Sequence, residues 1–165
     1  MTPPHDPPTP QAPWSPGEEP GLVDALAQLS FLVQNALAGI AGQHELSVVQ
    51  TRLLGILRDR EPTMHQLGRH LGLDKSSITG LVDRAQRRGL VTRTVSPTDR
   101  RSFQVSITDA GRRLAEQVAA EFAERIERSV APLPGPDRER LTRLAVRIVS
   151  ADAETRGPDP RTTSR

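Results

Sequence analysis

The chain has 165 residues, with 22 Lys+Arg against 20 Asp+Glu, four His, no Cys and a net charge of +2. Without cysteine there is no disulfide framework, no thiolate metal or iron–sulfur site and no thiol redox sensor. Hydrophobic residues make up 35%, and the shortfall is uneven. Residues 1–20 hold 8 of the 15 prolines, and their apolar side chains are Met1, Ala12 and Trp14; residues 154–165 have none. The intervening 21–153 are about half apolar when glycine is counted, as one packed domain requires. The expected organisation is a disordered Pro-rich arm (1–20), one domain (21–153) and a disordered tail (154–165).

No apolar run reads as approaching the ~18 residues of a membrane span. The N-terminus lacks the charged-then-apolar layout of a signal peptide, so a cytoplasmic location is expected, with no membrane contact. The small net charge is concentrated. Residues 61–101 carry eight bases and four acids, which marks that stretch as a candidate phosphate-facing surface.

In chain order, apolar positions recur with helical spacing from Leu22 through Leu26, Leu29, Leu32 and Val33 to Ile40, with Gly39 and Gly42 as the expected end. A second helix from about Ser47 is expected to bury Val49, Leu53, Ile56 and Leu57 and to stop at Pro62. Thr63 and Gln66 have the spacing of a capping box for a short third helix with Met64, Leu67 and Leu71 on one face and Gly72 at its end. Asp74 caps a fourth helix, with Ile78, Leu81, Val82 and Ala85 apolar. Its other face carries Ser76, Ser77, Thr79, Gly80, Asp83, Arg84 and Arg87, and Gly89 ends it. Two short helices joined by a tight glycine turn form a helix-turn-helix.

After Gly89 the period becomes 2. Residues 91–95 and 103–107 read as two strands, the second with Phe103, Val105 and Ile107 inward, around a turn-rich tip, Ser96–Ser102. Thr108 then caps a long helix with Leu114, Val118, Phe122, Ile126 and Val130 in one stripe. Residues 132–136 (PLPGP) break it, and a last helix from about Asp137 is expected to bury Leu141, Leu144, Ala145 and Ile148. The fold expected is mainly α with a small β-hairpin wing. It is a winged helix-turn-helix with N- and C-terminal dimerisation helices (22–42 and 109–152) around a DNA-binding part of about 47–107. The long apolar stripes exceed what the winged core can cover, and a symmetric dimer is the simplest way to bury them.

This layout resembles the MarR family of winged helix-turn-helix bacterial transcriptional regulators. The stretch LGRHLGLDKSSITGLVDRAQRRGLVTR (67–93) is similar to that family's helix-turn-helix. DRRSFQVSITDAGRRL (99–114) is similar to its wing, an Asp-x-Arg tip followed by an alternating strand and a Thr-x-x-Gly helix start. The resemblance spans about 22–152. It implies a homodimer whose recognition helices enter successive major grooves of a near-palindromic double-stranded operator while the wings reach the minor grooves. It places DNA contacts at Ser76, Ser77, Thr79, Arg84, Arg87 and Arg88, and at Asp99, Arg100 and Arg101 of the wing, where Arg101 enters the groove and Asp99 orients it. Where many members carry an arginine, this chain has Gly80. Arginine suits narrow minor grooves and guanine edges independently of any family.

A small-molecule effector is a further implication, in a cleft bordered by Phe31, His44, Arg52 and Arg112, with Arg113 beside it. The histidines do not form a metal set: His5 lies in the arm, His65 and His70 lie on the DNA-binding element, and only His44–Glu45 are paired. No metal and no cofactor are expected. There is no nucleophile–base pair, phosphate loop or convergent carboxylate pair, so the chain reads as no enzyme. The expected function is a regulator, a repressor released by a ligand. The alternative is a winged-helix module that binds protein or RNA without operator specificity. Trp14 reads as part of a loose arm.

Overall fold

The structure is a computed structural model that describes residues 21–95 and 102–155. The arm with Trp14, the tip of the wing and the C-terminal tail lie outside the described residues. Six helices and one hairpin follow in the order α1 (Leu22–Gln43), α2 (Val48–Asp59), α3 (Met64–Leu71), α4 (Lys75–Arg87), β1 (Val91–Val95), β2 (Phe103–Ile107), α5 (Asp109–Val130) and α6 (Gly135–Thr155).

The helix starts are set by side-chain caps. Ser47 and Gln50 form a capping box on α2, as do Thr63 and Gln66 on α3, and Thr108 accepts the Gly111 amide at the start of α5. Gly72 closes α3 in the left-handed region (φ 66), where a side chain would be strained. At α4 the Asp74 carboxylate accepts the Ser77 amide at 2.8 Å and the hydroxyls of Ser76 and Ser77 at 2.7 and 2.9 Å. The Ser76 hydroxyl, then the Ser77 amide and hydroxyl, hold this carboxyl well below the usual carboxylate range.

One core joins the segment from α2 to the hairpin with the long helices. It contains Leu53, Leu54 and Leu57 of α2, Leu67 of α3, Ile78, Leu81, Val82 and Ala85 of α4, Val91 and Val105 of the wing, and Ala115 and Val118 of α5. The strands pair antiparallel from Val91↔Ile107 to Val95↔Phe103. β2 is also pinned at its other edge, where the Val105 amide donates to the Pro62 carbonyl and Gln104 Nε2 to the Glu61 carbonyl.

The joint between the wing and α5 is tight. Thr108 donates its hydroxyl to the Gly89 carbonyl and its amide to the Leu90 carbonyl, while Gly111 packs so closely that a Cβ there would lie 2.1 Å from the Leu90 oxygen and 2.9 Å from Ile107 Cγ1. The Thr-x-x-Gly start of α5 is therefore a steric requirement.

Several expectations need correction. α1 continues past Gly39 and Gly42 to Gln43, and among its described residues only Ile40 and Ala41 are buried. By length and composition it could cross a membrane, contrary to the reading that no run was long enough. Its last turn instead enters the core shared with α5. Val49 and Ile56 are half-buried, and Phe103 is half exposed because a two-stranded hairpin has no second layer to cover it. α6 starts at Gly135, and Leu141, Leu144, Ala145 and Ile148 are exposed, as is every residue from Gly135 to Asp152. The core of a single chain is filled by α1's end, α2 to α5 and the hairpin, and α6 contributes no buried residue to it.

Gly111→Ala should destabilise the protein by about 3 kcal/mol in urea unfolding, since backbone has to move. Gly55→Ala, on an α2 surface with open space around it, should stabilise by about 0.5–1 kcal/mol. Asp74 titrates lower when folded than when unfolded, so its contribution is present above the unfolded value, about pH 4, and is lost as pH falls below it. Asp74→Ala should therefore melt lower than wild type at pH 7, with the gap closing toward pH 2 in a thermal-melt series. A gap independent of pH would contradict the role given to the carboxylate.

Candidate nucleic-acid interface

α4 buries Ile78, Leu81, Val82 and Ala85 and turns the opposite face outward. Asp74 and Lys75 start this outer face, Ser76 and Ser77 follow, and Arg84 and Arg87 are exposed near its end. Because the hydroxyl hydrogens of Ser76 and Ser77 point at Asp74, both residues present oxygen lone pairs outward. Thr79, half-buried, donates its hydroxyl to the Lys75 carbonyl at 2.7 Å. Arg84 lies back across Gly80, with its Nη1 3.3 Å from where a Gly80 Cβ would stand. The missing side chain thus leaves room for a guanidinium one turn later.

Arg88 is placed differently from Arg84 and Arg87. Its guanidinium donates to the carbonyls of Glu45 at 2.7 Å and His44 at 3.2 Å, in the corner between α1 and α2. Asp99, Arg100 and Arg101 lie outside the described residues. Arg93, which carries no expected role from the sequence, links the wing to α4. It pairs with the Asp83 carboxylate and reaches the Thr79 carbonyl at 3.4 Å. Alternation in β1 puts Arg93 on the same side as the buried Val91, which is the signal that could have found it. Between α3, α4 and the wing lies a hollow of about 930 Å³ lined in part by Met64, His65, Lys75, Ile78, Arg93 and Phe103.

The four residues expected to border an effector cleft have different surroundings. Phe31 is 58% exposed on α1. His44 Nε2 is 2.9 Å from Glu121 Oε2, and Arg112 donates to the Arg58 carbonyl at 2.9 Å. Arg52 does line a cavity of about 220 Å³ between α1, α2 and α5, with Leu37, Leu46, Leu54, Val118 and Phe122 among its walls. Spacing along the chain could not show which turn of α1 faces α5. Among the described residues no group of three or more His, Asp or Glu is placed to hold a metal ion.

A family model described as "MarR family" matches residues 44–102, which cover α2 to β1 and end just before β2. The chain is 28% identical over 135 residues to the HTH-type transcriptional regulator PecS of Dickeya dadantii (strain 3937), covering 79% of this chain and 81% of that protein. It is 27% identical over 131 residues to the homoprotocatechuate degradative operon repressor of Escherichia coli, covering 78% and 88%. A crystal structure of the S. aureus MepR–DNA complex shares the fold, with a TM-score of 0.66 at 19% identity over 81% of this chain and 99% of that one. Helix-turn-helix, hairpin wing and flanking long helices, together with these likenesses, make the chain a member of the MarR family of DNA-binding transcriptional regulators, which are not enzymes.

Proposed function

We propose that the protein is a repressor that binds a near-palindromic DNA operator as a homodimer and is released by a small-molecule ligand. The observation that carries DNA binding by α4 is its division into a wholly apolar buried face and a polar, Arg-bearing outer face. Arg84 and Arg87 are free to reach guanine edges or phosphates, and Ser76, Ser77 and Thr79 lie along the same face. With their hydrogens held by Asp74, the two serines suit base amino groups as acceptors, and either can rotate toward a phosphate oxygen. Arg101, oriented by Asp99 and flanked by Arg100, is the minor-groove group of the wing.

Homodimer formation is supported by the apolar surface of the long helices. Leu22, Val23, Leu26, Leu29 and Leu32 of α1, and Leu141, Leu144, Val146, Ile148 and Val149 of α6, are exposed in a single chain. An apolar surface of that extent needs a partner, and two-fold symmetry matches a near-palindromic operator. The pairing elements are the long helices outside the segment 47–107. The apolar cavity beside Arg52 and Arg58 suits a small hydrophobic acid, whose carboxylate a guanidinium would meet. The relative that is a degradative-operon repressor supports repression as the mode. A cytoplasmic location goes with this role.

Selection of duplexes from a randomised pool by the full chain should enrich an inverted repeat; absence of any enriched sequence would count against operator specificity. On the enriched duplex, Arg101→Ala should weaken binding by about 1–3 kcal/mol in matched salt. Equal affinity of Arg101→Ala and wild type would remove the wing contact.

A further inference from the structure

α4 ends at Arg87, and the Arg88 amide still reaches the Arg84 carbonyl at 3.2 Å, so the Arg88 backbone belongs to the end of the recognition helix. Its side chain leaves that helix and grips the α1–α2 corner through two carbonyls, those of Glu45 and His44. Both follow the last turn of α1, where the helix dipole is negative and a guanidinium is favoured.

The corner presents these oxygens in a specific shape. Among the described residues, Glu45 is the one non-glycine residue with positive φ (55°), a conformation that residues with a side chain disfavour. The turn is closed by the Glu45 amide on the Gly42 carbonyl and the Leu46 amide on the Ala41 carbonyl, and Leu46 is buried. The same corner is fastened to α5 by the His44–Glu121 contact. On the opposite flank, Arg93 ties the middle of α4 to the wing through Asp83 and Thr79. The recognition helix is therefore held at two points, and the hold at its C-terminal end leads directly to α1.

We infer that Arg88 is a positioning residue for DNA binding: through the His44 and Glu45 carbonyls it fixes the C-terminal end of α4 to α1, and so sets the direction in which the recognition helix is presented. This rests on the proposed entry of α4 into DNA as a dimer, in which the angle between α4 and α1 determines the half-site spacing the protein accepts. Two of the guanidinium's donors are already committed to the corner, unlike those of Arg84 and Arg87.

The test uses the full chain and the duplex that wild type selects from a randomised pool. If no two-half-site duplex is selected, the proposed operator reading fails before Arg88 is at issue. On a selected duplex, Arg88→Ala and Arg88→Lys are compared with wild type over a salt series. The comparison is repeated on duplexes whose half-site spacing is changed by one base pair. Lysine keeps the charge but not the two-pronged grip. Both variants should bind at least about tenfold more weakly with the wild-type salt slope, and both should discriminate less between spacings. A salt slope reduced by about one in Arg88→Ala, with binding restored in Arg88→Lys, would make Arg88 a phosphate contact and overturn the inference. Wild-type spacing preference in both variants would overturn it as well, whatever the affinity. Should Arg88→Ala fail to fold by circular dichroism, Arg88→Lys carries the comparison.

Discussion

The arrangement depends on the close approach of Gly111 to the Leu90 carbonyl. With Thr108 bonded to the carbonyls of Gly89 and Leu90, this contact fixes where the recognition helix ends, where the wing begins and where α5 departs. α4 must bury Ile78, Leu81, Val82 and Ala85 to complete the core under that joint, so its polar face has nowhere to go but outward. The site is in this sense a consequence of packing: the apolar positions decide which serines and arginines are presented.

The second constraint is an excess of apolar length. A core built from α2 to α5 accommodates the last turn of α1 and the first half of α5; Val33, Ala36 and Leu37 of α1 are half-buried, while most of the rest of α1 and the described side chains of α6 stay exposed. A chain of this composition does not leave so much aliphatic surface in water without a use for it. Pairing of two copies through these helices would bury it and place two recognition helices on one duplex. The Arg88 grip on the α1–α2 corner and the Gly111 joint at Leu90 both hold the C-terminal end of α4, one to the α1 side and one to the α5 side.

Much of this was legible in the sequence. Periodicity and caps found the helix starts at Ser47, Thr63, Asp74 and Thr108, the glycine turn at Gly72, the hairpin and the buried face of α4, because each depends on local residue chemistry. What was not legible was the relation between distant segments. Arg88 is indistinguishable from Arg87 in the sequence, yet a rotation of about 100° about the helix axis sends one to the carbonyls of residues 44 and 45 and leaves the other exposed. The same holds for His44 with Glu121, for Arg112 with the Arg58 carbonyl and for the exposure of Phe31: sequence separation shows none of these surroundings. The exposure of Leu141 and Ile148 shows the converse: a helical stripe identifies an apolar face but not whether its own chain covers it.

The most direct measurement is the mass, by sedimentation, of the complex formed between the full chain and its selected duplex. Two chains per duplex, cooperatively loaded, is the predicted result. A complex that saturates at one chain on the whole duplex would contradict the account, because neither the exposed long helices nor the two-fold operator would then have a role.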